Sequence, residues 1–380
     1  MNERHRRRLL LIISLLAVAV APLPDVAQEV PRGLTTAVLL PPYKAGEPDC
    51  SAPVGLTPEL VFVQDNERDF MKGAKAGLQA AAADQHLPFK VDLANNDPKL
   101  MVQEVQNLIA EKAGAVVVAP VDPPSLAPHL QQMIVQGNYV GAVVPPPATT
   151  ILNAPQYLTG KVLGEAAVAY IKNHLGGKAD VVILTHDSLQ VLAPRFRAIR
   201  DALEQLPGAT IIADISPPTV DRAGGKEVMN TILLANPNVD VVLGADTVVL
   251  GALDAIREAH KDRPDQFFGG IDGEPEALAE IEKKDSPYKI TVSLASPIFG
   301  YALGYQAGEW LKGKTIPQAI DALPRTLTAE NLIAYRADMA DPGAVYADPV
   351  KRGQYLKMYG NICFDTKEQY LNFPWSSEPQ

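Results

Sequence analysis

The sequence predicts an α/β protein of two similar lobes, each with a parallel β-sheet covered by helices on both faces. Short apolar segments alternate with segments of helical periodicity along most of the chain, which is typical of βαβ crossovers. The predicted strands are too many for one ordinary sheet, so we expect two sheets. The chain has 380 residues and is 47% hydrophobic, which is enough to build two cored domains.

The first lobe begins at Glu59 with the strand "ELVFVQ". Segment 66–85 follows as a helix, because Phe70, Ala74, Leu78 and Ala81 recur at helical spacing. The series then continues through strand 89–94, helix 98–112, strand 115–121, helix 125–137 and strand 139–145. This order predicts four strands and three connecting helices.

The second lobe repeats the alternation. Its helices are predicted at 158–175, 193–206, 225–235, 247–260 and 274–283, and its strands at 180–186, 210–216, 240–246, 266–272 and 288–295. A late helix at 297–314 belongs by order with the first lobe. The chain must therefore cross between the lobes more than once, which predicts a hinge.

The N-terminus has the pattern of a secretory signal. Arginines at positions 4, 6, 7 and 8 precede an apolar run from Leu9 to Ala21 that is too short to span a bilayer comfortably. We expect cleavage after Ala27, with cleavage after Ala21 as the alternative. No cysteine follows the run, which argues against a lipid anchor. The mature protein is expected to be exported to the periplasm.

Charge and cysteine content narrow the classes of partner and cofactor. The formal net charge is −10, and residues 1–27 carry four Arg against Glu3 and Asp25, so the mature chain is more acidic still. Such a charge argues against a nucleic-acid partner. Cys50 and Cys363 are expected to form a disulfide in an oxidising compartment, with two free thiols as the alternative. No cysteine spacing indicates a metal site, and we expect no metal or other cofactor.

Polar side chains at the ends of predicted strands are the candidate site residues. We find no G-x-S-x-G, H-E-x-x-H or C-x-x-C motif, so the residues offer no catalytic constellation and we do not predict an enzyme. In open α/β sheets, ligands bind at the carboxyl ends of the strands. For Asp246, binding and helix capping remain equally open. Asp272 is the strongest candidate, because Gly273 and Glu274 separate it from Pro275, where a helix could start.

Six motifs distributed over both predicted lobes carry a family resemblance. They are "FMKGAKAGLQAAA", "GAVVVAPVDP", "PRFRAIRDAL", "LGADTVVLGALDAI", "GGIDGEPEALAEI" and "TVSLASPIFGYALG". In this order they resemble the type I periplasmic sugar-binding proteins, the ribose- and galactose-binding group that shares its fold with LacI-type repressors. The resemblance covers roughly residues 59–335. It implies two Rossmann-like lobes joined by a three-segment hinge.

The resemblance also implies ligand-binding roles for particular residues. Asp272 would bind sugar hydroxyls, and so would Arg195, which opens the helix after the first strand of the second lobe. A further polar position falls at Ala245 or Asp246. The first lobe would contribute Gln64, Asp65 and Asn66. Two departures from the family pattern, Val144-Pro145 and Leu294, remove polar groups that commonly orient a sugar ring.

The resemblance divides the chain into regions and gives it a function. The expected regions are a signal peptide at 1–27, an irregular arm at 28–58, a first lobe of 59–156 plus 295–326, a second lobe of 157–294 plus 327–338, and an extension at 339–380. The hinge is expected near Pro155–Thr159, Leu294–Pro297 and Leu323–Ala329. We expect a monomer that captures a small polar solute between its lobes and delivers it to the permease of an ABC transporter. The alternative is a sensory module that docks on a chemoreceptor or a sensor kinase.

Overall fold

The computed structural model describes residues 37–143, 147–186 and 189–378, which fold into two β-sheets flanked by helices. The strands are β1 (Thr57–Gln64), β2 (Phe89–Leu93), β3 (Ala113–Val118), β4 (Tyr139–Val143), β5 (Thr150–Asn153), β6 (Ala179–Leu184), β7 (Ala209–Ile215), β8 (Val241–Leu243), β9 (Phe267–Asp272), β10 (Tyr288–Ser293), β11 (Ala319–Ala322), β12 (Arg325–Leu327) and β13 (Leu356–Tyr359). The helices are α1 (Asp69–Asp84), α2 (Pro98–Glu111), α3 (Pro123–Gln136), α4 (Gln156–His174), α5 (Ala193–Glu204), α6 (Arg222–Ala235), α7 (Asp246–Glu258), α8 (Pro275–Ile281), α9 (Ser296–Leu311), α10 (Leu332–Ala340), α11 (Pro342–Ala347) and α12 (Pro349–Tyr355). The predicted two-lobed α/β class is confirmed.

Each lobe is built on one sheet. The first lobe has seven strands in the order β13-β11-β5-β4-β3-β1-β2, and the second has six in the order β12-β10-β9-β8-β6-β7. Neighbouring strands are parallel except for β13 on β11 and β12 on β10. Helices cover both faces of a parallel sheet, which explains why every residue of β3 and β8 is buried and apolar or glycine. The polar residues that follow such strands therefore gather at one edge of each sheet.

The late helix α9 returns to the first lobe, as its position in the sequence predicts. It packs against α1, β3 and β4. Two glycines permit the close approach of α1 and α9. A Cβ at Gly77 would lie 2.0 Å from the carbonyl oxygen of Pro297, and one at Gly300 would lie 2.2 Å from that of Ala74.

The chain passes between the sheets three times, from β5 to α4, from β10 to α9 and from β11 to β12. The third passage lies at residues 323–324, earlier than the expected first-lobe limit at 326, because β12 pairs with β10 in the second sheet. The C-terminal segment also reaches the first passage. The Glu378 carboxylate accepts a hydrogen bond from the backbone N–H of Leu158 in the first turn of α4 (2.9 Å).

Three parts of the first lobe were not predicted from the sequence, namely β5, β11 and the elements of the extension at 339–380. β5 has only four residues and follows a proline run, so its apolar pattern is too short to identify. The extension at 339–380 was expected only as an added tail with weak periodicity, and it contains α11, α12 and the edge strand β13. Trp375 is buried against Tyr359, with ring centroids 5.0 Å apart. Tertiary packing, and not local periodicity, holds this extension on the first lobe.

A disulfide between Cys50 and Cys363 joins the N-terminal arm to the extension. The arm is also held by backbone hydrogen bonds, since Cys50 N–H donates to the carbonyl oxygen of Gly313 (2.7 Å). Beside it, Ser51 N–H donates to the Asp365 carboxylate (2.9 Å). Both terminal segments are thus attached to the base of the first lobe.

Some sequence predictions fall on residues that the structure leaves undescribed. The signal peptide at 1–27 and the Val144-Pro145 departure lie outside the described residues. Among the helices that are described, none is both long and apolar enough to cross a bilayer.

Candidate ligand-binding site

The stretch "FFGGIDG" forms β9 and presents Asp272 at its carboxyl end. β9 is buried up to Ile271, and Asp272 is half-buried. A Cβ at Gly270 would lie 1.7 Å from the Asp246 carboxylate and 2.1 Å from the Tyr288 hydroxyl, so only glycine admits these neighbours. The chain then turns through two consecutive residues with positive φ, +116° at Asp272 and +75° at Gly273. Backbone held in such a region at a non-glycine residue is typical of binding sites.

Asp272 lines a cleft of about 220 Å³ between the lobes. The first lobe contributes the beginnings of α1 and α9, and the other walls are the end of β9, α8 and α10. Phe70 of α1 supplies an aromatic surface and packs on Phe299 with ring centroids 5.3 Å apart. The polar groups in the lining are Asp69, Ser296, Asp272, Glu274, Tyr335 and Arg336. An aromatic face with a few convergent polar groups is the usual composition of a small-molecule site.

The Asp272 carboxylate lies in the field of cations from both lobes. Burial raises its pKa, and the guanidinium groups of Arg195 and Arg68 oppose that rise. Arg68 belongs to the first lobe and Arg195 to the second. Among the described residues, we find no hydrogen bond to the Asp272 carboxylate, so its acceptor positions are available to a bound molecule.

Arg195 is close enough to Asp272 to interact with its charge, but it does not line the described cleft. Its side chain is buried, and its Nε–H donates to Oε1 of Gln156 (2.9 Å) in the first turn of α4. Burial lowers the pKa of Arg195 and the negative charge of Asp272 raises it. A buried guanidinium that is held in place by a hydrogen bond at one nitrogen stabilises the ionised form of the neighbouring carboxylate.

The three first-lobe candidates form a turn bonded mainly within itself. Gln64 is fully buried, and its side-chain N–H donates to the carbonyl oxygen of Asn66. Asp65 accepts from Asn66 N–H (2.8 Å) and from Nη2 of Arg68 (3.3 Å). The Asn66 amide donates to Oδ1 of Asn96 (3.0 Å). The structure therefore places these residues beside the cleft, where they orient Arg68, and not in its described lining.

Asp246 lies beneath the cleft floor and is fully buried. Its carboxylate accepts from the backbone N–H of Glu274 (2.8 Å), from the Thr291 hydroxyl (2.8 Å) and from the Tyr288 hydroxyl (2.6 Å). Burial raises the pKa of Asp246 to about 7, against the effect of these hydrogen bonds. Asp246 thus fixes the turn after β9. Asp246 does not cap α7, because α7 begins at Asp246 itself and the N-cap residue of α7 is Ala245.

The structure identifies lining residues that the sequence did not. Phe70 was interpreted only as one position of a helical repeat, and Glu274 only as a helix start. An aromatic residue in the first turn after a strand-end polar cluster is the one signal that could have indicated Phe70.

Leu294 is buried and Ala295, with φ +51°, is the N-cap residue of α9, so neither supplies a side-chain polar group at the second passage. Within the described ranges, no cluster of His, Cys, Asp or Glu is arranged to hold a metal ion.

Comparisons with known proteins agree with this architecture. A profile described as a periplasmic binding protein domain matches residues 60–315. The ribose import binding protein of Bacillus subtilis is 28% identical over 269 residues, which cover 67% of this chain and 81% of that protein. A xylitol-binding protein of Mycolicibacterium smegmatis is 29% identical over 227 residues, covering 57% and 62%.

The solved structures include an ABC transporter solute-binding protein from Bacillus halodurans with bound myo-inositol. It superposes with a TM-score of 0.64 at 20% sequence identity, covering 75% of this chain and 99% of that one. This likeness concerns the fold. The resemblance inferred from the sequence and the prediction of a binding protein instead of an enzyme are both confirmed by the matched profile. The chain therefore belongs to the periplasmic binding protein family.

Proposed function

We propose that this protein captures a neutral sugar or sugar-like polyol between its lobes and delivers it to an ABC importer. The observation that carries the proposal is Asp272, a carboxylate without a hydrogen-bond partner among the described residues, at the end of β9 in an interlobe cleft. Ionised carboxylates are strong acceptors for hydroxyl groups. Phe70 offers an apolar face for the carbon atoms of the same molecule. Relatives named for ribose and xylitol support this class of ligand.

Binding and closure follow from the position of the cleft. The first lobe supplies Phe70 and the second supplies Asp272, so a solute that contacts both stabilises the closed arrangement over the open one. Rotation would occur at the three passages between the sheets, where short connections absorb changes in φ and ψ. The closed form would then be the one that the permease recognises. No covalent step is involved.

Several attributes of the mature protein belong to the same proposal. Residues 1–27 would act as a cleaved export signal, and the acidic chain would function as a monomer without a nucleic-acid partner. A relative named for ribose import favours delivery to an importer over the sensory alternative.

A thermal-shift experiment tests the ligand class. Ribose, xylitol and myo-inositol, each at millimolar concentration, are added to the purified protein, and the melting temperature is recorded. A ligand present at 1,000 times its Kd stabilises the folded protein by about 4 kcal/mol. We expect at least one polyol to raise the melting temperature by several degrees, with sodium acetate as the matched non-polyol control. If no polyol raises it, the proposed ligand class is wrong.

Closure is tested by small-angle X-ray scattering with the polyol that gives the largest thermal shift. The ligand is expected to contact both lobes. Saturating the protein with ligand should therefore lower its radius of gyration. The Asp272→Ala variant is the control; at a polyol concentration only a few times the wild-type Kd, it should remain near the ligand-free value. A scattering curve that ligand leaves unchanged in the wild type would indicate a rigid binding protein without hinge closure.

A further inference from the structure

Glu274 occupies a fixed position in the same cleft as Asp272. It follows the turn at Asp272 and Gly273, and its backbone N–H donates to the buried Asp246 carboxylate (2.8 Å). Its side chain is half-buried and lines the cleft. Since Asp246 is itself held by Tyr288 and Thr291, the backbone at Glu274 cannot easily move away from the cleft.

The Glu274 side chain has no structural partner within the described residues. Glu274 is the N-cap residue of α8, yet it makes no capping hydrogen bond. We find neither a hydrogen bond nor an ion pair to its carboxylate. Glu276, two residues later, provides the contrast, because it is exposed and forms an ion pair with Arg222. A partly buried carboxylate without any of these roles indicates a function outside folding.

The surroundings of Glu274 are acidic. Burial raises the pKa of Glu274 to about 8, and four further carboxylates on separate elements add to the rise. They are Asp246 of α7, Asp272 of β9, Asp69 of α1 and Glu276 of α8. From α10, Tyr335 and Arg336 line the same cleft, and Arg336 forms an ion pair with Glu282. Holding this carboxylate among other carboxylates costs stability, as functional groups often do.

We propose that Glu274 is a specificity-determining residue that binds a hydroxyl group of the solute beside Asp272 and excludes solutes carrying a carboxylate. This inference rests on the proposed function and extends it. Two neighbouring carboxyl groups match a polyol, which presents several donors, and either protonation state of Glu274 can accept from a hydroxyl. Above pH 8, where Glu274 is ionised, the carboxylate of a sugar acid would instead meet the negative charges of Asp69, Asp272 and Glu274 at once. Juxtaposed like charges disfavour such a complex strongly.

Calorimetric titration of matched neutral and acidic probes tests the specificity. The probes are ribose with ribonate and xylitol with xylonate, and the proteins are the wild type, Glu274→Ala and Glu274→Gln. Glu204→Gln, an exposed change on α5 of the same lobe, is the matched control. We expect Glu274→Ala to weaken the neutral probe at least tenfold. At pH 9, where Glu274 is ionised, Glu274→Gln should lower the preference for the neutral over the acidic probe by at least tenfold, and Glu204→Gln should change neither.

Melting curves without ligand separate this role from a structural one. The folded protein holds the Glu274 proton up to a pKa of about 8, whereas the ordinary value is 4.5, so stability falls as pH rises between these two values. Glu274→Gln should therefore melt above the wild type near pH 9, and this difference should disappear near pH 4. A variant that melts below the wild type at both pH values would make Glu274 a structural residue and overturn the inference.

The outcomes also separate this inference from the proposed function. A neutral probe that binds the wild type and Glu274→Ala equally well would overturn the role of Glu274 and leave the polyol-binding function intact. If neither ribose nor xylitol binds the wild type, while ribonate or xylonate does, the neutral polyol assignment fails together with the role of Glu274. Binding of all four probes by the wild type with similar affinity would overturn only the exclusion of acids.

Discussion

Replacing Asp272 with alanine should weaken polyol binding by about 30- to 1000-fold, which corresponds to about 2–4 kcal/mol. The carboxylate faces the cleft, and Arg195 and Arg68 both lie close enough to act on it electrostatically. Its loss removes charge-assisted hydrogen bonds to the ligand and leaves the buried Arg195 without its neighbouring negative charge. Calorimetric titration with the polyol identified by thermal shift measures this effect.

Backbone strain must be separated from the loss of the carboxylate in this test. Asp272 has φ +116°, a conformation that alanine adopts less readily than glycine. Asp272→Gly removes the carboxylate without that strain and should lose affinity as much as Asp272→Ala while melting at least as high. The matched control is Asp262→Ala. Asp262 is exposed and precedes the start of β9, at the end of the strand that lies away from the cleft, so this variant should bind normally.

A structural role for Asp272 predicts a different result. If Asp272 capped α8, its loss would cost about 1 kcal/mol of stability and leave affinity unchanged. The described structure has no hydrogen bond from α8 to the Asp272 carboxylate, and the N-cap residue of α8 is Glu274. Variants that melt early but retain wild-type affinity would remove Asp272 from the binding site.

Replacing both Cys50 and Cys363 with serine should lower the free energy of unfolding by about 2–5 kcal/mol. The bond closes a loop with a sequence separation of 313 residues, so it restricts the unfolded chain strongly. We expect the melting temperature to fall by roughly 3–7 °C. The cleft residues lie in other elements, and polyol affinity at a temperature where the variant is folded should therefore not change.

Reduction of the wild type provides the matched control for the disulfide. Dithiothreitol should lower the melting temperature of the wild type to that of the double serine variant and should leave the variant itself unaffected. Mass spectrometry of the exported protein should find both cysteines in one disulfide-linked peptide pair. Two free thiols in that protein, or equal melting temperatures of the wild type and the variant, would contradict this prediction.

The sequence by itself determined the fold class and, apart from β5, the order of the elements from β1 to α9. Strands such as β3 and β9 and helices such as α1 have local apolar periodicity, and periodicity depends only on neighbouring residues. The return of α9 to the first lobe could also be inferred from element order. Asp272 was identifiable because an apolar strand that ends in a carboxylate and a glycine is a local pattern. The elements that sequence analysis missed have short or weak patterns, and they are β5, β11, β12, β13, α10, α11 and α12.

Only the tertiary structure decided which strand-end side chains face the cleft. Asp246 and Asp272 are both acidic residues near the ends of second-lobe strands, yet Asp246 is buried by Tyr288 and Thr291, which lie 42 and 45 residues further along the chain. Gln64, Asp65 and Asn66 are likewise occupied largely by bonds within their own turn. The direction of a side chain and the partners that satisfy it depend on distant segments brought together by packing. Local sequence therefore indicates where a polar group is placed along a strand, but contacts between elements decide whether a ligand can reach it.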